Sequence, residues 1–249
     1  MLRVSAQRIA ARPRSYVRVA GPDAEDYLQR MLSNDVAGRE VVDALLLTPK
    51  SRLIAPVRVW RRGPDDFLLL TEPELGEVVR THLLRSRFAA RCEIELESHS
   101  SAVVFGEADG LPGELPGTVE VLDAGLQPTL DEEEVERARI EAGVPAWGKE
   151  LDDSILPAEA GLDETHVSFT KGCYPGQEPI ARLRHRGHVN RRLRVLEVES
   201  AAPGDEVRHD QRVVGRVTSA VPGLALGYVR ADVPDGAELS VGGANARLH

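Results

Sequence analysis

Between Ala44 and Thr71 three apolar runs, "ALLLT", "LIAPVRVW" and "FLLLT", are separated only by "PKSR" and "RRGPDD". The runs have strand length and the separators carry turn chemistry, so this stretch is expected to fold as an antiparallel meander. Other segments extend the same reading. "SYVRVAG" has the composition of a strand, and the turn at Gly21-Pro22 leads into "DAEDYLQRMLS". There Asp23 is placed to cap a helix on which Tyr27, Leu28, Met31 and Leu32 recur at helical spacing. A second helix is expected at "PELGEVVRTHLLRS", with Pro73 in its first turn and Leu75, Val79, His82 and Leu83 on one face. "RCEIELES" alternates, placing Cys92, Ile94 and Leu96 on the buried side of a strand.

"SAVVFG" and "TVEVLDAG" are two further strand candidates divided by the loop "EADGLPGELPG". The acidic segment "LDEEEVERARIEAG" follows, with carboxylates in its first turn, arginines later and Gly143 at its close, all in the sense the helix dipole prefers. Residues 144–170 hold too much Pro, Gly and Asp for a long element. In the last segment "RRLRVLEVES", "VVGRVTSAV", "LALGYVR" and "AELSV" are short, closely spaced strands, the pattern of a small barrel. The expected architecture is α+β with antiparallel sheets and helices. Its boundary falls near Asn190, with a larger module over 1–190, itself divisible into two subdomains, and a C-terminal β-barrel domain over 191–249.

Composition narrows the function. The apolar runs are only four or five residues long, which excludes a transmembrane helix. The N-terminus has scattered basic residues and no signal-like stretch, so a cytoplasmic protein with no membrane partner is expected. A formal charge of -9 argues against a chain whose main work is gripping nucleic-acid phosphates. The 2 cysteines are too few for a disulfide framework or a four-thiolate metal site.

One of those cysteines lies in "KGCYPGQE", Lys171 to Glu178. A nearby lysine and a helix N-terminus both favour a thiolate, and a helix is expected to begin near Pro179. Gly172 and Gly176 permit unusual backbone conformations or close approaches. Tyr174, Gln177 and Glu178 offer a ring and acceptors suited to a heteroaromatic ligand. A structural turn around a buried thiol is the competing reading. Beyond the motif, Arg182, Arg184, Arg186, Arg191, Arg192 and Arg194 form a basic tract with His185 and His188. It suits polyanions such as a polyglutamyl tail or RNA phosphates, or it forms a solvated face. The histidines lack a carboxylate cluster or second thiol, so no metal site is expected. Asp152-Asp153 is read as a solvated or turn-capping pair rather than an acid-base pair.

"KGCYPGQE" resembles the hallmark of the YgfZ family of folate-binding proteins, relatives of the T-protein (aminomethyltransferase) of the glycine cleavage system. "RVAGPDAEDYLQRMLSNDV", "ALLLTPKSRLIAPVRVW", "RIEAGVPAWGKELDDSILPAEAGL", "PIARLRHRGHVNRRLR" and "GRVTSAV…LALGYVR" are similar to that family's segments in the same order. The resemblance implies a T-protein-like folate-binding module and a C-terminal barrel around a central tetrahydrofolate cavity. It also implies a role supporting iron-sulfur enzymes, including those of tRNA modification. By resemblance Cys173 is the essential thiol with Lys171 beside it. Arg139, Glu141, Tyr174 and Gly176, together with Gln177, Glu178 and Arg182, are the expected folate contacts.

Two departures accompany the resemblance. Val78 stands where T-proteins carry the aspartate that assists transfer, and Val135 stands near the place of a tryptophan used by some members. Stacking on the ligand then falls to Tyr174, Trp147 or Tyr16. The leading expectation is a tetrahydrofolate-binding accessory protein with iron-sulfur client enzymes as partners. Cys173 would act as a transient ligand, a redox thiol or a nucleophile. The alternatives are a folate-dependent aminomethyltransferase or demethylase, and, third, weak RNA contact through the arginine tract.

Overall fold

The computed structural model describes residues 7–249, excepting the side chain of Arg186. The first part of the chain runs β1 (Arg8–Ala11), β2 (Ser15–Ala20), α1 (Ala24–Met31), β3 (Val41–Leu47), β4 (Leu53–Gly63), β5 (Asp66–Thr71), α2 (Gly76–Ser86) and β6 (Glu93–Glu97). It continues through β7 (Ser101–Phe105), β8 (Leu111–Pro112), β9 (Thr118–Leu122), α3 (Glu132–Glu141), α4 (Leu162–Thr165) and α5 (Gln177–Arg186). The remainder is β10 (Arg191–Val198), β11 (Glu206–His209), β12 (Arg212–Val221), β13 (Gly223–Arg230), β14 (Leu239–Val241) and β15 (Ala244–Leu248).

The meander forms as the turns require, and two further strands complete a five-stranded antiparallel sheet in the order β3-β4-β5-β2-β6. Its apolar runs are continuous rather than alternating because both faces of the sheet are covered. Ala44 and Leu46 join Phe67 and Leu69 under α1 and α2. Leu45 and Leu47 pack on the other side with Leu151, Leu162, Tyr174 and Ile180, while Leu68 and Leu70 pack there with Tyr16. A second antiparallel sheet has the order β1-β7-β9-β8, and β10-β13-β12-β11-β14-β15 close into a barrel. The α+β architecture is therefore the one the sequence suggests.

Two local expectations need correction. Asp23 precedes α1, yet its carboxylate does not cap the helix; it accepts from the Arg91 backbone N–H at 2.8 Å and from Arg91 Nη2 at 2.9 Å. A bidentate guanidinium is the stronger partner. Cys92, just before β6, and Ile94 within it are buried as expected, but Leu96 is 44% exposed on this edge strand. By contrast α3 starts with a full capping box: Glu134 N–H donates to Asp131 at 2.8 Å and Asp131 N–H to Glu134 at 3.1 Å. Among the described residues no helix is long and apolar enough to cross a membrane.

Candidate functional site

The two sheets, the 144–166 segment and barrel strand β10 enclose a cavity of about 820 Å³. Its apolar lining includes Leu70, Val103, Phe105, Val144, Trp147 and Leu193. One wall is strongly charged. Arg58 holds Asp43 through two bonds of 2.7 and 2.9 Å, and Arg12 holds Glu72 at 2.8 and 3.1 Å. Glu114 accepts from Arg12 at 3.0 Å and Arg14 at 2.8 Å, while Arg14 also grips the buried Glu120. Burial opposes the Glu114 charge, but Arg14, Arg12 and Arg58 outweigh it and hold the carboxyl well below its usual range.

Arg139 enters from α3 and also lines the cavity. Its guanidinium is fully engaged: Nη1 donates to Glu150 at 2.9 Å and the Val144 carbonyl at 2.6 Å, and Nη2 to Glu136 and Ser219, each at 2.7 Å. Glu150 is buried and accepts from the Ser219 hydroxyl at 2.6 Å. Arg139 thus ties α3, the segment after it and barrel strand β12 together. Glu141, two residues on, lies on a different helix face, is exposed and does not line the cavity.

The hallmark segment lies elsewhere. Cys173 is exposed, and neither it nor Lys171, Tyr174, Gly176, Gln177, Glu178 or Arg182 lines the cavity. Of the residues the resemblance assigns to folate, Arg139 is therefore the one that lines this cavity. Lys171 does not present a free ammonium to Cys173: Nζ donates to the carbonyls of Gln29, Leu32 and Asn34 at 2.6, 2.7 and 2.9 Å. Burial lowers its pKa to about 8. Those carbonyls lie at and just beyond the C-terminal turn of α1, where a lysine satisfies orphan acceptors and meets the negative helix end.

Tyr174 is buried among aliphatic side chains, and its hydroxyl has no hydrogen-bond partner. Gly176 has φ +85°, and a Cβ there would stand 2.6 Å from the Thr48 carbonyl oxygen; Ser51 Oγ donates to its own carbonyl. Gly172 meets nothing within 4 Å, so only one of the two glycines is sterically required. Gln177 and Glu178 open α5, Glu178 and Arg182 facing solvent.

The basic tract is dispersed. Arg184 lies over the Phe169 ring at 3.9 Å, Arg191 pairs with Glu159 at 3.0 Å and Arg194 with Asp235 at 2.7 Å. Arg192 and Arg194 line the cavity from β10. Asp152 accepts from the Ser154 N–H and hydroxyl, as a turn cap does. Val78 is exposed on α2, whereas Val135 does line the cavity. Of the three aromatic candidates only Trp147 lines it; Tyr16 is buried with its ring against His99. Sequence reading passed over Phe105, His166 and the charged Arg12, Arg14 and Arg58 wall. No local pattern marks them, because they meet only through strand pairing and loop docking.

The fold and cavity define a T-protein-like protein completed by a small closed barrel. Residues 190–249 match the family described as CAF17, C-terminal beta-barrel domain. Over nearly its whole length the chain is similar to the crystal structure of glycine cleavage system aminomethyltransferase T from Bartonella henselae. The TM-score is 0.78 at 18% identity, covering 98% of this chain and 85% of that one. The tRNA-modifying protein YgfZ of Edwardsiella ictaluri is 28% identical, covering 71% of this chain and 66% of that one. A mitochondrial iron-sulfur cluster assembly factor IBA57 homolog of Pyricularia oryzae is 26% identical, covering 81% and 60%. The chain thus spans about two thirds or less of the length of these two relatives. Its likeness extends to both the YgfZ and the IBA57 homologs.

Proposed function

We propose that the protein binds a reduced folate in its central cavity and supports iron-sulfur enzymes, tRNA-modifying ones among them, through Cys173 on its outer surface. A cytoplasmic setting belongs to the same reading. The observation that carries it is the separation of the two parts: the thiol is exposed and outside the cavity lining. The cavity suits a ligand of folate size, being mostly apolar with a few placed polar groups. Trp147 offers a flat surface for a ring, and Arg192 and Arg194 offer cations for glutamyl carboxylates. Tetrahydrofolate would supply one-carbon or redox chemistry when bound.

The names of the Edwardsiella and Pyricularia relatives support an iron-sulfur setting. A lone thiol cannot hold a cluster by itself, so Cys173 works with a partner that brings the other ligands. The transferase alternative is less well supported, because each carboxylate lining the charged wall is already held by an arginine. Two measurements test the proposal. Tetrahydrofolate should raise the thermal midpoint of the wild type and of C173A by the same amount. C173A should nevertheless fail to restore client iron-sulfur enzyme activity in cells lacking the protein. No folate-induced shift removes the cavity half of the proposal, and full complementation by C173A removes the thiol half.

A further inference from the structure

The cavity lining is rich in ionisable groups, but nearly all are committed to ion pairs. Asp43 is held by Arg58, Glu72 by Arg12, Glu114 by Arg12 and Arg14, and Glu159 by Arg191. Among the described lining residues there is no cysteine, lysine or tyrosine, and His166 is the one imidazole. It is also firmly placed. His166 N–H donates to the Leu162 carbonyl at 2.8 Å, its own carbonyl accepts from Ser33 Oγ at 2.6 Å, and Nδ1 lies 2.7 Å from Thr165 Oγ1. Nε2 has no hydrogen-bond partner among the described residues.

The charged groups facing this ring come from three elements: Asp43 on β3, Arg58 on β4 and Glu114 on the β8–β9 loop. Burial dominates and lowers the His166 pKa below its usual value; Asp43 and Glu114 oppose that shift and Arg58 adds to it. The ring is therefore neutral at neutral pH, with one donor and one acceptor nitrogen.

We propose that His166 is a ligand-contacting residue of the cavity: held through Nδ1 by Thr165, it exchanges a hydrogen bond through Nε2 with a heteroatom of the bound heterocycle. The inference rests on the folate reading, and the heterocycle is then the pterin portion of a reduced folate. Protonation of the ring removes its acceptor and places a new positive charge beside Arg58, so ligand affinity falls as the solution is acidified.

Isothermal titration calorimetry with 5-formyltetrahydrofolate, from pH 8 to pH 5.5, tests this in wild type, H166Q and H166A. Glutamine keeps a donor and an acceptor but does not titrate. The wild type should lose affinity as the pH falls, by less than about tenfold at pH 5.5 because the ring's pKa lies below its usual value, and H166Q should bind within about threefold of wild type at pH 8 with a flat profile. H166A should bind about five- to tenfold more weakly at pH 8, the worth of one hydrogen bond. A wild-type slope retained in H166Q, or wild-type affinity retained in H166A, overturns this inference alone. Absence of binding by the wild type at every pH overturns the folate reading and this inference with it. Thermal midpoints of the variants verify folding, and H166Q decides the matter if H166A unfolds.

Discussion

The ammonium of Lys171 lies 2.7 Å from the carbonyl oxygen of Leu32, across 139 positions of chain. With the carbonyls of Gln29 and Asn34 it forms a three-point clamp that fastens the hallmark loop to the end of α1. Substitution K171M leaves those acceptors without their donor. Charge-assisted bonds of this kind contribute about 2 kcal/mol, and a denaturant titration should show a lower midpoint with an unchanged slope. Cys173 should also be alkylated faster in the variant as its loop loosens. A midpoint equal to wild type would mean the clamp carries no stability.

The two glycines of the same loop should separate cleanly. G176A must place a Cβ at φ +85° and against the Thr48 carbonyl, so a loss of at least about 1–2 kcal/mol is expected from the left-handed backbone alone. G172A meets nothing within 4 Å and should lie within about 0.5 kcal/mol of wild type. Thermal midpoints of the two variants, measured side by side, check this; equal effects would contradict the geometry.

Removing the arginine that joins α3 to the barrel strands a buried carboxylate. R139M should destabilise the protein by about 3 kcal/mol, because Glu150 keeps only the Ser219 hydroxyl and the Ala146 N–H as donors. The double variant R139M/E150Q, which removes the stranded charge, should recover part of that loss in a double-mutant cycle. Additive effects would show that the two side chains do not interact.

Acid stability should depend on Glu136. The hydrogen bond from Arg139, with burial opposing and Lys149 assisting, lowers its pKa from about 4.5 to about 2. A depressed folded-state pKa contributes stability that is complete above the unfolded value and is lost as pH falls toward the folded one. Thermal midpoints measured from pH 5 down to pH 2 should therefore fall less steeply in E136Q than in wild type, with E136Q the less stable at pH 7. Parallel curves would exclude this contribution.

The two thiols should differ sharply in access. In the native protein a disulfide reagent should modify Cys173 quickly and leave the buried Cys92 untouched until the chain unfolds. Tetrahydrofolate should give Cys173 little protection. Strong protection would place the thiol nearer the ligand than the cavity lining does.

Much of the fold was legible because strands and helices follow local periodicity. The runs from Ala44 to Thr71, the acidic helix closed by Gly143 and the close strands after Asn190 all appear as elements where their spacing suggested. Asp23 was misread because a competing partner, Arg91, lies 68 positions away and leaves no trace beside it. The importance of Gly176 was legible as a glycine requirement, but the same expectation attached wrongly to Gly172.

By itself the sequence determined the α+β class and the closing barrel, since these depend on spacing and on residues adjacent in the chain. Only the tertiary structure decided the site. Arg12, Arg58, Trp147, His166 and Arg194 share one cavity because sheet pairing and loop docking bring distant positions together. Within "KGCYPGQE", Lys171 turns inward to three carbonyls, Tyr174 enters the core and Cys173 is left outside. Adjacent side chains diverge in direction, and which one meets solvent is set by what the rest of the fold places behind each of them.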